Sequence, residues 1–141
     1  MNYNEVTAFC GIDCWNCQMF HTNLTDEMVE HFTKNYNKTR EEITCLGCKL
    51  QGGCPLMGNT CQTRSCVTAK GLDFCSDCDE FPCKNLHPAA DGADRLPHNY
   101  KVYNLCSIKR LGVEKWGESQ AADTRKRYFE GKMVIGSGPQ L

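Results

Sequence analysis

The octapeptide CGIDCWNC, residues 10–17, carries three cysteines, and three later stretches answer it: CLGC at 45–48, CQTRSC at 61–66 and KGLDFCSDCDEFPC at 70–83. Twelve cysteines in 141 residues is far above ordinary usage. Cys14/Cys17, Cys45/Cys48 and Cys75/Cys78 each have CxxC spacing. In a tetrahedral site with zinc–sulfur bonds of about 2.3 Å, neighbouring sulfurs stand about 3.8 Å apart, and a tight turn with two intervening residues spans that distance without strain. Gly47, inside CLGC, supplies the positive φ that such a turn can need. Repeated CxxC pairs of this kind point to bound metal, provided the thiols stay reduced.

Compartment decides that proviso. The start, MNYNEVTAFC, has no basic segment followed by an apolar run, so it does not read as a secretory signal. No apolar stretch approaches the roughly 20 residues of a membrane span. The expectation is a cytoplasmic protein outside the membrane, where thiols stay reduced and cysteine patterns mean metal or catalysis more often than cystine. A thiol oxidoreductase places one reactive CxxC pair at a helix start in a βαβ setting. Three pairs among five further cysteines in the first 88 residues do not fit that plan.

The formal charge is −1. Each Zn²⁺ held by four thiolates carries −2 in total, so two such sites would move the chain from −1 to −5. A phosphate-backbone binder is therefore disfavoured, and nucleic acid is not an expected partner.

The cysteines divide the chain. Residues 1–88 hold all but Cys106, and the large hydrophobes between them are sparse, while residues 95–141 show ordinary helical periodicity. The expected fold is a single domain over 1–141, small α+β, mostly helix and loop. Its N-terminal half, 1–88, is metal-stapled with zinc-knuckle-like turns, and its helical packing portion, 95–141, ends in a short strand. Thr25 followed by Asp26 and Glu27 predicts a helix near 25–36, with Met28, Val29 and Phe32 as its buried stripe. Shorter helices are predicted near 65–70, from Ser65 to a stop at Gly71, and near 82–87, opened by Pro82. A helix near 98–111 turns Val102, Leu105, Ile108 and Leu111 inward, and a second spaces Val113, Trp116, Gln120, Thr124 and Tyr128 along one face before Gly131. Met133 to Ile135 reads as the short strand, running into a loop of glycines and Pro139.

Spacing ranks the ligand groupings without deciding them. Cys45 and Cys48 with a later pair, Cys61/Cys66 or Cys75/Cys78, would close one four-thiolate site. The triad Cys10, Cys14 and Cys17 needs a fourth ligand, which Cys83 or His21 could supply. Two zinc sites use eight cysteines, and three become reachable with eleven and one histidine. Catalytic zinc needs an open coordination position and usually histidine or carboxylate ligands. His21, His31, His87 and His98 form no HxxxH or HExxH pair, so closed structural sites without catalysis are expected. CxxxCxxC is also the spacing by which some enzymes hold a four-iron cluster and cleave S-adenosylmethionine. Those enzymes need a large partial barrel after the motif, and their aromatic precedes the last cysteine, where this chain has Asn16. An iron–sulfur cluster without that chemistry remains the alternative cofactor, since thiolate-only sites suit both metals.

Other residues read more plainly. Cys54 lies in a GGCP loop, expected to be exposed, and Cys106 falls in a helical pattern as a small buried hydrophobe. Arg125, Lys126 and Arg127 read as a solvated helix face. Phe9, Trp15, Phe20 and Trp116 read as core.

With its cysteines laid out, the chain resembles domain of unknown function 3795, a family of prokaryotic, cysteine-rich proteins. The resemblance rests on CGIDCWNC, CLGC, CQTRSC and KGLDFCSDCDEFPC, and on GKMVIGSGP at 131–139. It implies zinc, and it carries the family's cysteine pattern onto Cys10, Cys14, Cys17, Cys45, Cys48, Cys61, Cys66, Cys75, Cys78 and Cys83. Cys54 and Cys106 stand outside that pattern, and no reaction comes with it. The function expected is a zinc-binding, non-catalytic module for a protein partner; the alternatives are an iron–sulfur redox protein or small redox enzyme, and a thiol-based metal or redox sensor.

Overall fold

Caps decide where the helices of the N-terminal region begin and end. In this computed structural model, which describes residues 1–55, 60–86, 99–134, 136 and 138–141, Asn2 opens α1 (Tyr3–Val6), its side chain accepting from the Asn4 N–H. Thr25 accepts from the Met28 N–H at 3.3 Å to open α2 (Asp26–Tyr36), and Asn37, at φ 51°, ends it in the left-handed region. Thr39 and Glu42 form a capping box on α3 (Arg40–Ile43). The helix expected near 65–70 is α4 (Gln62–Ala69), which starts earlier. Ser65 lies inside it, its hydroxyl bonded back to the Cys61 carbonyl at 3.3 Å rather than capping the helix. At the position expected to open with Pro82, a 3-10 turn covers Lys84–Leu86, and His87 lies outside the described residues.

The C-terminal helices are α5 (Tyr100–Leu111), α6 (Val113–Ser119) and α7 (Ala121–Glu130). The expected start of α5 near residue 98 lies outside the described residues. The second expected helix is broken at Gln120, at φ −130° and ψ −31°. With that break Trp116, Ala121 and Thr124 are all buried. β1 (Lys132–Val134) pairs antiparallel with β2 (Gly138–Gln140), Lys132 opposite Gln140. The glycine-rich tail therefore returns as a second strand, with Gly136 at φ 83° between the two. Ile135 lies outside the described residues. The chain is mostly helical, as the periodicity predicted.

The main core joins the two portions of the chain. Val6, Ala8, Trp15, Phe20, Val67 and Phe74 meet Leu105, Ile108, Trp116 and Ala121 in one cluster. Tyr3 packs edge-on to Trp15 at 5.0 Å, and Trp15 to Trp116 at 5.5 Å. A smaller cluster of Met19, Ile43 and Cys45 lies under α2, whose Met28, Val29 and Phe32 pack against it while only partly buried.

Two sequence readings are corrected. Cys106 is exposed, because α5 turns Asn104, Leu105 and Ile108 to the core and Cys106 falls off that face. Arg125 is no solvated face residue. It reaches the wholly buried Asp13, Nη1 to Oδ1 at 2.8 Å, and Asp13 also accepts from the Tyr100 hydroxyl and, at 2.9 Å, from Asn16 Nδ2. Among the described residues, no helix is long and apolar enough to cross a membrane.

Candidate metal centre

Two CxxC turns share one local design. Cys14–Asn16 and Cys75–Asp77 are 3-10 turns, closed by Cys17 N–H to the Cys14 carbonyl at 3.0 Å and Cys78 N–H to the Cys75 carbonyl at 3.2 Å. In each, the first cysteine is buried and the second half-buried. The third pair, Cys45/Cys48, bends through Gly47 at φ 104°, and the Gly47 N–H donates to Cys45 Sγ at 3.4 Å. All twelve cysteines are free thiols.

These turns bring thiols together from distant segments. α4 contributes Cys66, the second turn Cys75 and Cys78, and the following loop Cys83; all four line one cavity of about 20 Å³, with Thr63, Lys70, Glu80 and Asn85 among its other walls. That volume is about one water-sized probe sphere. Neither Cys45 nor Cys48 lines it, so the ranking by spacing and the tertiary arrangement pair Cys75/Cys78 differently. Elsewhere Cys10, Cys14 and Cys48 pack into the main core, while Cys17 packs against Cys45 in the smaller one. The Cys14/Cys17 and Cys45/Cys48 pairs are thus each divided between the two clusters. Among the described residues, no three His, Cys, Asp or Glu side chains are gathered closely enough to hold a metal ion as they stand. His21 and His31 are exposed, and His87 and His98 lie outside the described residues.

Burial governs the thiol electrostatics. It pushes Cys14 up to about 12, with Cys10, Cys45 and Cys48 adding like-charge repulsion. Cys75 is likewise pushed up to about 12 by burial and then by Cys10, Cys83, Cys66 and Cys78. Cys48 rises to about 11 through burial and its neighbours Cys10 and Cys61. Burial also raises Cys10 and Cys45, the latter with Cys54 and Cys17 as like-charged neighbours. Cys54 is thus half-buried beside Cys45 rather than in an exposed loop. Thiols so arranged are neutral when alone, and a divalent cation reverses that preference by favouring the thiolate. The donor set fits a soft or borderline ion such as zinc.

A cation touches the outer cysteine of the second turn, and sequence reasoning did not find it. Lys70 Nζ donates to Cys78 Sγ at 3.1 Å and to Glu80 Oε2 at 2.7 Å. The Lys70–Cys78 pairing has no sequence signature, since the two residues lie eight positions apart on different elements. At the first turn, burial opposes the charge on Arg125, and the Asp13 carboxylate and Tyr100 outweigh it, so that its pKa is raised. Beside Cys17 lies a groove of about 600 Å³, with Met19, Met28, Phe32, Arg125 and Phe129 among its walls.

No curated protein and no solved structure matches this chain. Residues 6–88 match the family described as Protein of unknown function (DUF3795), a stretch that contains every cysteine except Cys106 and all the turns just described. With more than half of its length inside that match, the chain belongs to the DUF3795 family.

Proposed function

We propose that this protein binds zinc at closed, cysteine-ligated structural centres, and that the fold they hold is a non-catalytic module for a protein partner. The observation that carries this reading is one cavity of about 20 Å³ lined by all of Cys66, Cys75, Cys78 and Cys83. Four soft donors with no histidine among them match a structural zinc set. Cys10, Cys14, Cys48 and Cys61 form the second set: burial and mutual repulsion raise Cys14 and Cys48, a cost that a shared cation would remove. Bound zinc would stabilise the thiolates and cross-link α4 to the loop after Phe74. Because the thiols are not already closed on a point, binding would draw them inward, coupling metal to folding.

An all-thiol lining also suits an iron–sulfur cluster. The one-ion size of the cavity favours a mononuclear site. The partner reading rests on the groove beside Cys17, where Met19, Met28, Phe32 and Phe129 offer adaptable apolar walls. Elemental analysis of protein purified without oxygen tests the metal. About two zinc ions per chain are expected. Iron with acid-labile sulfide would replace zinc by a cluster, and metal-free protein with cystine crosslinks in its mass spectrum would overturn both.

A further inference from the structure

Lys70 joins two of the four cavity cysteines by different parts of one residue. As the residue that ends α4, it donates its backbone N–H to the Cys66 carbonyl at 3.1 Å. Its side chain turns the other way, Nζ reaching Cys78 Sγ at 3.1 Å, with Glu80 Oε2 at 2.7 Å steadying the ammonium. Lys70 and Glu80 both line the cavity. Cys75 is buried, whereas Cys66, Cys78 and Cys83 are half-buried, and the contact of Cys78 with Lys70 is exposed.

We propose that Lys70 is a positioning residue for Cys78: the hydrogen bond from its Glu80-anchored ammonium draws charge from the sulfur and sets how readily that cysteine reacts with electrophiles and gives up metal. The inference rests on the zinc reading above. Four thiolates around one Zn²⁺ leave a net charge of −2. A cation in direct contact with one sulfur offsets part of that charge at that sulfur, and a hydrogen-bonded thiolate is a weaker nucleophile than a bare one. Glu80 holds the ammonium at Cys78 rather than free in solvent.

The test uses full-length, zinc-loaded protein whose metal content is measured first. Iodoacetamide forms a sulfur–carbon bond at a thiolate and expels iodide; peptide mass spectrometry follows each cysteine while a chromogenic chelator reads released zinc. In Lys70→Met, alkylation of Cys78 and release of zinc accelerate on the order of tenfold, the scale of one hydrogen bond to a charged group. Lys70→Arg keeps the donor and stays near the parent rate, and Glu80→Gln falls between. Circular dichroism of the zinc-loaded variants establishes that all are folded, and Lys70→Arg keeps the comparison interpretable if the methionine variant is not. Equal rates in the parent and Lys70→Met, both with full zinc, overturn the role of Lys70 and leave the centre standing. Parent protein without zinc overturns the centre itself and this role with it.

Discussion

Around Cys14–Cys17 and Cys75–Cys78 the chain runs through the same local shape: a glycine of positive φ (Gly11 at 82°, Gly71 at 64°), then a 3-10 turn with its first cysteine buried and its second half-buried. What stands behind each turn differs. The first is backed by the buried Asp13, which ties it to Tyr100 of α5 and Arg125 of α7, and Asn104 donates to the Gly11 carbonyl at 2.8 Å. The second has the Cys75 N–H on the Phe9 carbonyl at 2.9 Å, a longer bond from Lys109 Nζ to the Ser76 carbonyl at 3.3 Å, and an ion pair in solvent. Equal local codes thus sit in different surroundings: buried side-chain polar contacts back the first turn, whereas the second rests against α5 with fewer of them.

Stripping the zinc proposed above is the strongest way to break this comparison. Structural zinc contributes on the order of 10 kcal/mol to folding, so stripping it should collapse the melting transition. Hydrogen exchange should rise further in residues 61–86 than in residues 3–17, and equal rises would abolish the distinction. The metal-free form also carries a pH signature. Cys14, Cys48 and Cys75 lie above their ordinary value of 9.0, at about 12, 11 and 12. A thiol raised in the folded state contributes stability that is fully present below pH 9 and lost as pH rises toward 11–12. Zinc affinity has the opposite slope, strengthening with pH because binding expels protons. Thermal melts from pH 7 to 11, with and without zinc, should therefore diverge.

Asp13→Ala comes next. It leaves Arg125 and Tyr100 without their buried partner and should cost about 3–5 kcal/mol in urea unfolding. A cost near zero would show that the first turn is not held through Asp13. The paired glycines sharpen the contrast. At Gly11 an added Cβ would lie 2.9 Å from Leu105 Cγ and 3.0 Å from the Lys101 carbonyl oxygen, on top of the positive φ, so Gly11→Ala should cost about 2–4 kcal/mol. Gly71 has nothing within 4 Å, and Gly71→Ala should cost only the backbone strain, about 1 kcal/mol. Similar costs at the two positions would mean that close packing does not separate the turns. The smallest effect is expected from Glu80→Ala, whose exposed pair should leave the unfolding midpoint unchanged.

Much of the local architecture was readable in the chain. Thr25 as a cap, Gly47 in a turn and the inward Leu105 and Ile108 all follow from contacts within a few residues. The break at Gln120 was not readable, because a regular three-and-four spacing runs straight through it. Cys106 misled because Val102, Leu105, Ile108 and Leu111 are the apolar stripe, and a cysteine between them is apolar enough to join it in a one-dimensional reading. The candidate site divides in the same way. Its cysteine content was plain from twelve cysteines and three CxxC pairs, whereas the companions of Cys75 and Cys78 in one cavity were not.

Residue order alone determined the turn-forming pairs and a largely helical C-terminal portion, because spacing of two to four residues controls turns and helix faces. Folding in three dimensions decided that Cys66 and Cys83 join Cys75 and Cys78, that Lys70 meets Cys78, and that Asp13 finds Arg125, 112 positions away. Such partnerships depend on how elements pack, and no local pattern records which distant side chain will fill the space beside a given sulfur or carboxylate.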